Sequence, residues 1–463
     1  MKTKFMTQEQ KVLYLTTEPI PPLICQMAVP TIISMLVTNF YNMADTFFVG
    51  KINTQSTAAV GVVFSIMALI QAVGFFFGHG SGNYISKKLG AKKFEDASKM
   101  AATGFFYAFF VGILICVIGL IFLEPLSVML GSTPTILPYT KDYLSIILIG
   151  TPFIMSSFVL NNQLRYQGSA SIAMAGIVTG AVINIGLDPI LIFGFNMGIS
   201  GAAVATTVSQ IISFMLLLWG CQKGQNIGIS IKKFTPGLYY IKEIFKGGFP
   251  SLCRQGLASV AQIALNFAAG IYGGAMADAA IAGMSVVSRV SMFANSALIG
   301  FGQGFQPVCG MNYGAKKYDR VREAFWFCVK YAFIFLVIVS IIGVVFARPI
   351  VTIFRKDDID VINIGAFALK MQAGVFFLNA WIVMSNMMLQ SLGKAFKASV
   401  VAASRQGLFF LPLIFILPRF FGLTGVQICQ PISDIFTLIV SIPLTLGVLR
   451  ELKYLSKQNE KSI

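Results

Sequence analysis

Phe77-Gly78-His79-Gly80, followed by Gly90-Ala91-Lys92-Lys93, returns later in the chain as Phe301-Gly302-Gln303-Gly304 and Gly314-Ala315-Lys316-Lys317. The shift is 224 positions for both parts (Gly78 to Gly302, Gly90 to Gly314). It holds again for Pro125 and Pro349, and for Gly198-x-x-Gly201 and Gly422-x-x-Gly425. The 463 residues therefore read as two copies of one unit. Working outward from the repeat, apolar stretches long enough to cross ~30 Å of hydrocarbon fall at 23–49, 58–78, 101–123, 143–163, 171–195 and 199–221 in the first copy. In the second copy they fall at 247–272, 279–301, 325–347, 362–389, 399–418 and 423–449. Six crossings return the chain to its starting side, so the copies run parallel about an axis along the membrane normal. The expected fold is an all-α membrane protein with twelve transmembrane helices in two six-helix bundles. Residues 1–221 would form the N-terminal lobe, the basic stretch 222–246 with Pro236 a linker, and 247–463 the C-terminal lobe.

Composition agrees with a bilayer and excludes several other classes. Hydrophobic residues make up 56% of the chain and charged residues 11%, far below the roughly 25% of a soluble domain. Lipid accepts that much apolar surface as an outer coat. Seven cysteines (Cys25, Cys116, Cys221, Cys253, Cys309, Cys328, Cys429) are scattered without paired spacing and read as apolar fillers. One histidine leaves no material for an imidazole metal cluster or a His-based triad, so neither a metal site nor a catalytic cluster is expected. The segment 1–22 is polar, contains Pro19, Pro21 and Pro22, and has no cleavable signal pattern.

The net charge of +17 reports topology rather than a nucleic-acid partner. With the N-terminus inside, 26 Lys and Arg fall in inside segments, from Lys2, Lys4 and Lys11 through Arg165 to Lys457 and Lys461. Six fall outside: Lys51, Lys141, Arg348, Arg355, Lys356 and Arg419. Arg254, Arg289 and Lys370 lie within spans. Positive charge stays on the cytoplasmic side, so both termini are expected inside a multi-pass protein of the cell (cytoplasmic) membrane.

Acidic residues are scarce in the spans, and two are matched. Asp45 precedes Gly50 by five residues and Asp188 precedes Gly194 by six, which puts both about 8–9 Å from the outer ends of spans 1 and 5. Tyr41 and Asn184 stand four residues before them, the spacing of a hydrogen-bonding partner on the same helix face. Pro189 follows Asp188 and loosens its helix. Two carboxylates in one poorly solvated cavity resist double ionisation, which is the chemistry a proton relay needs. The alternative reading has Asp45 snorkelling to the interface and Asp188 capping a kinked helix. Arg289 is a candidate to neutralise a carboxylate or line the path, or to form a structural bridge. Asp434 and Arg405 suit a pair across spans 12 and 11, and His79 a helix-end hydrogen bond.

These residues resemble a known family. Tyr41-Asn42-Met43-Ala44-Asp45-Thr46-Phe47-Phe48-Val49-Gly50 is similar to the end of span 1 in the multidrug and toxic compound extrusion (MATE) family. So are Arg165-Tyr166-Gln167-Gly168, Leu187-Asp188-Pro189 with Gly198-Ile199-Ser200-Gly201-Ala202-Ala203, Pro250, and Arg405-Gln406-Gly407 with Pro412. The resemblance covers essentially the whole chain. It implies two bundles around a central cleft, alternating access, and export of varied, often cationic compounds against a proton or sodium gradient. In the DinF-like branch a polar cluster in the N-terminal half carries coupling, and its positions match Tyr41, Asp45, Asn184, Asp188 and Thr206. Sodium could use the oxygens of Asp45, Asp188 and Asn184. Another branch uses acids in spans 7 and 10, where this chain has Gln255, Gln262 and Asn266, and Lys370, Gln372 and Asn379. Gln262 and Asn266, with Arg289, are kept as secondary cavity residues.

The expected activity is secondary multidrug efflux by antiport with H+ (or Na+), with no bound cofactor, in a chain that is not an enzyme. Its partners would be small organic cations and the lipid bilayer, with no nucleic acid, and it would work as a monomer. The rival within the same superfamily is a flippase for a lipid-linked precursor. Such a protein gathers several bases in its cavity to hold pyrophosphate, and here only Arg254, Arg289 and Lys370 qualify.

Overall fold

The computed structural model describes residues 6–223, 225–354 and 358–461, and among these residues it contains helices and turns but no strand. Lys2, Lys4, Arg355 and Lys356, used above to orient the chain, lie outside the described residues. Sixteen α-helices follow in order among the described residues. The first lobe holds α2 (Ile20–Gly50), α3 (Thr54–Gly90), α4 (Phe94–Ile121), α5 (Leu123–Met129), α6 (Leu137–Tyr166), α7 (Ala170–Pro189) and α8 (Gly198–Lys223). The second holds α9 (Leu238–Tyr272), α10 (Ala277–Gly314), α11 (Tyr318–Val345), α12 (Ala347–Phe354), α13 (Ile359–Val375), α14 (Asn379–Ser391), α15 (Ala395–Ala403) and α16 (Phe410–Lys461). A short helix, α1 (Gln8–Thr17), precedes the first span.

Ten stretches are apolar and long enough to cross a bilayer by length and composition. Two further crossings complete the twelve. One is α9, whose hydropathy is lowered by Ser251, Arg254, Gln255, Gln262 and Asn266 along one face. The other arises because the final stretch, Ala395–Glu460, is broken at Gly422 (φ 55, ψ −136) into spans 11 and 12. The tenth crossing is itself interrupted, α13 passing into α14 through a 3-10 turn at Phe376–Leu378.

The backbone carries the duplication independently of sequence identity. Left-handed conformations recur at the 224-residue shift: Lys92 (φ 57) with Lys316 (φ 60), and Gly198 (φ 57) with Gly422 (φ 55). The short helices α5 and α12 also begin at matching positions, Leu123 and Ala347.

Helices α2 and α3 of one lobe pack on α10 and α9 of the other, the arrangement a pseudo-two-fold requires. Close approach depends on glycine. A Cβ on Gly90 would meet the Met311 carbonyl, and one on Gly314 would meet the Lys87 carbonyl. Met311 and Lys87 are themselves repeat mates. Backbone therefore touches backbone symmetrically where α3 and α10 end. Both described ends of the chain gather on this face: α1 through Asn312 Nδ2 to the Leu15 carbonyl (3.0 Å), and α16 through Asn459 Nδ2 to the Lys316 carbonyl (3.1 Å). We call it the terminal face. Hydrogen bonds and ring contacts between the lobes run from there to Asn39–Ser296 (2.5 Å) and Phe40–Phe293 (centroids 5.5 Å). Among the described residues none lies beyond, so the cleft opens toward the opposite face.

The polar opening segment contains a helix: Thr7 and Gln10 form a reciprocal capping box that starts α1, an arrangement that contributes about 1 kcal/mol. Two sequence expectations need correction. Span 2 was ended at 78, whereas α3 continues to Gly90, so His79 lies well inside a helix. Arg165 was assigned to an inside loop, but it belongs to α6 and is 2% exposed. In addition, α9 begins at Leu238, within the stretch read as linker.

Candidate functional site

Asp45 and Asp188 converge inside the first lobe. Helix α2 brings Asp45, 9% exposed, toward α7, which carries the fully buried Asp188. Pro189 has no N–H to continue the α-helical ladder, and the next turn, Ile190–Gly194, is wound as a π turn. The carboxylates lie within electrostatic reach of each other. Asn184 Nδ2 donates to Asp188 Oδ1 (3.3 Å) and lies 3.4 Å from Thr206 Oγ1 on α8.

The expected i−4 partnership holds for Asn184 but not for Tyr41. Tyr41 instead lines a small cavity together with Gln210 on α8. Tyr143, buried near the start of α6, lies within electrostatic reach of both carboxylates. Sequence reasoning missed Tyr143 and Gln210 because their partners are on other helices. The only available signal was a tyrosine placed at the edge of an apolar span, which is common at membrane interfaces.

Three buried acceptors in this cluster have no hydrogen-bond partner: Asp45 Oδ1, Asp188 Oδ2 and Asn184 Oδ1. Native proteins rarely leave such atoms unsatisfied. A cavity of about 20 Å³, lined by Thr38, Tyr41, Asn184, Ser209, Gln210 and Ser213 among others, reaches the cluster at Asn184. It has room for water or a bare cation.

The acid of the second lobe is in a different state. Arg405 Nε donates to Asp434 Oδ1 at 2.8 Å, Gln430 Nε2 to the same oxygen at 2.8 Å, and Asn379 Nδ2 to Oδ2 at 3.0 Å. The pair expected across spans 11 and 12 is present, and Arg405 sits on a π turn, Ser404–Leu408. Asp434 is thus saturated with donors, while the first-lobe acids keep free acceptor oxygens. Gln262 Nε2 donates to Asn266 Oδ1 (3.1 Å) on α9, and neither is hydrogen-bonded to an acid among the described residues. Arg289 is exposed, one turn from Phe293, and forms no salt bridge among the described residues. It neutralises neither carboxylate.

A second polar cluster spans the two lobes. Arg165 on α6 donates to Asn162 Oδ1, to Gln303 Oε1 on α10 (2.5 Å) and to His79 Nε2 (3.3 Å). Since arginine only donates, that ring nitrogen is the acceptor. His79 Nδ1–H then donates to Ser251 Oγ on α9 (3.0 Å), which also accepts from Gln390 Nε2 (2.7 Å). His79 is an interlobe bridge rather than a helix-end cap.

Comparisons with known proteins fit this geometry. The MatE family model matches residues 30–190 and 250–416, one segment in each lobe. The chain belongs to the MATE family. It is therefore built as a membrane transporter and not as an enzyme. It is 29% identical to the multidrug export protein MepA of Staphylococcus haemolyticus (strain JCSC1435) over 90% of this chain and 92% of that protein. An outward-facing MATE transporter of the MOP superfamily superposes with a TM-score of 0.90 at 26% identity, covering 96% and 99% of the two chains. A MOP superfamily transporter from Pyrococcus furiosus described as having a binding pocket of reverse polarity superposes at 0.89, also 26% identical, over 95% and 98%.

Proposed function

We propose that this chain exports structurally varied organic cations from the cell by exchange for protons, and that coupling runs through Asp45 and Asp188. The observation that carries the reading is the pair of buried carboxylates with unpartnered oxygens in the first lobe, set against the saturated Asp434 of the second. Multidrug export by the MepA relative supports the cargo class. The match of Tyr41, Asp45, Asn184, Asp188 and Thr206 to the DinF-like cluster supports the location.

In this mechanism a proton entering from the open side reaches the acid pair and removes its repulsion. The change in charge favours a bent or closed first lobe, with the Pro189–Gly194 segment as hinge. Release toward the terminal face, which we assign to the cytoplasm of a cell-membrane protein, resets the pair. The molecule acts as a monomer, each chain holding both lobes and the cleft between them.

Sodium is the second reading, because three free oxygens also suit a hard cation. The test is dye efflux from proteoliposomes driven by an imposed pH difference alone and then by a sodium gradient alone. Efflux under the pH difference supports the proton reading, and efflux under sodium alone replaces it. If neither drives a broad cation panel, and lipid-linked precursors build up in cells lacking the protein, the flippase reading takes its place.

A further inference from the structure

The geometry points to an anion-accepting subsite at the floor of the cleft, formed by Arg254 with Arg165 and selective for the carboxylate of an amphipathic cargo. The inference deepens the exporter reading and rests on it for the transport arm of its test.

Arg165 and Arg254 approach the interlobe floor from opposite lobes, on α6 and α9. Arg165 reaches His79, His79 reaches Ser251 on α9, and Arg254 stands three residues after Ser251 on that helix. Among the described residues neither makes a salt bridge. Arg165 has the neutral acceptors Asn162, Gln303 and His79 and lies over the Tyr166 ring (5.6 Å to its centroid), and Arg254 Nη1 donates to Asn386 Oδ1 at 3.1 Å. Arg165 Nε and Arg254 Nε are both buried without an acceptor. Arg165 also lines a small cavity with Thr31, Ser34 and Asn161.

Buried charges are ordinarily paired, because an uncompensated ion away from bulk water is costly. Here two like charges belong to one polar cluster, and each has an N–H to spare. Guanidinium groups present planar donors that match a carboxylate. Arg254 is the member a cargo can reach, since it is partly exposed whereas Arg165 is enclosed. The floor lies far from the acid pair: Ser34 beside Arg165 and Asp45 are eleven residues apart on α2, about 16 Å. The arginine subsite is therefore separate from the acid pair, which is enclosed in the first lobe. A cargo bearing a carboxylate can engage the guanidiniums, whereas a pure cation finds no partner there.

The experiment has two arms. In the first, thermal unfolding of the purified transporter is followed with benzoate, its neutral isostere benzamide, chloride or inorganic phosphate, at ionic strength held constant with methanesulfonate. Benzoate should raise the midpoint of the native protein and of Arg254→Lys, but not of Arg254→Gln, and benzamide should raise none. Stabilisation by chloride or phosphate without benzoate would overturn the carboxylate assignment. Equal benzoate effects in native protein and Arg254→Gln would overturn the site. The second arm compares export of rhodamine 110, a carboxylate-bearing zwitterion, with its methyl ester rhodamine 123. Arg254→Gln should weaken export of the acid about tenfold relative to the ester. Equal loss of both dyes would indicate a structural role and overturn the subsite. If the native protein exports neither dye, the exporter reading fails, while the benzoate arm still decides whether the anion site exists.

Discussion

Replacing Gly314 by alanine should hold the two lobes apart at the terminal face. A Cβ there falls against the Lys87 backbone carbonyl, and the repeat-related Gly90→Ala meets the Met311 carbonyl. Both obstacles are main chain inside helices α3 and α10, so neither can rotate aside as a side chain would. Overpacking of this kind costs about 1–3 kcal/mol. The cost applies only while the ends of α3 and α10 are crossed, so it shifts the equilibrium toward the state open at the terminal face by about 5- to 150-fold. Spin labels at the exposed positions Lys93 and Lys453, in a background without the seven native cysteines, read the separation of the lobes at this face. The alanine variants should move the distance distribution to longer values and slow export. Gly61→Ala, on the same helix α3 but with open space around its Cβ, should leave the distribution unchanged. A native-like distribution for both Gly314→Ala and Gly90→Ala would refute the reasoning.

Arg405→Gln leaves Asp434 buried beside neutral donors and should destabilise the second lobe by about 3–5 kcal/mol, read as a lowered unfolding midpoint. Adding Asp434→Asn should recover much of the loss, and no recovery would mean that the charge pair is not the cause. Burial lowers the Lys11 ammonium on α1, outside the membrane spans, to about 8 from 10.5. Between those values the undocked segment binds more protons than the docked one, so docking of α1 should strengthen as pH rises. A spin label at the exposed Leu13 should lose mobility over that interval, and increased mobility would contradict the assignment. Single cysteines at Lys93 and Thr133 should differ in reaction with an impermeant reagent applied to intact cells. Reaction at 93 but not at 133 would reverse the proposed orientation.

Much of this architecture was legible because the repeat is written in residue types that few alternatives can replace. Gly198 and Gly422 match in sequence and share the same left-handed backbone, and Gly90 and Gly314 match because each must admit a carbonyl from the other lobe. Span ends were less legible. Hydropathy falls near residue 78, yet α3 runs on to Gly90 because its last three turns are buried between lobes rather than in lipid. Helix α1 escaped notice because it is short and only weakly amphipathic, although Thr7 and Gln10 mark its start. Within the site, Asp45, Asn184 and Asp188 announce themselves as rare polar residues at helical spacing. Tyr143 and Gln210 do not, since their places beside the acids exist only once α6 and α8 pack against each other and against α7. Arg165 looked like a topogenic loop charge, because its partners Gln303 and His79 are distant in sequence and meet it only at the interlobe floor.

Ion movement driven by cargo tests the coupling claim most directly. Proteoliposomes containing the purified protein and a lumenal pH indicator are given an outward-to-inward gradient of an organic cation, with no imposed ion gradient and the membrane potential clamped. Native protein should move protons opposite to the cargo. Asp45→Asn and Asp188→Asn should abolish that proton flux, while Gly61→Ala, with open space around its Cβ, should retain it. Native proton flux in both aspartate variants would contradict coupling through the first-lobe acids.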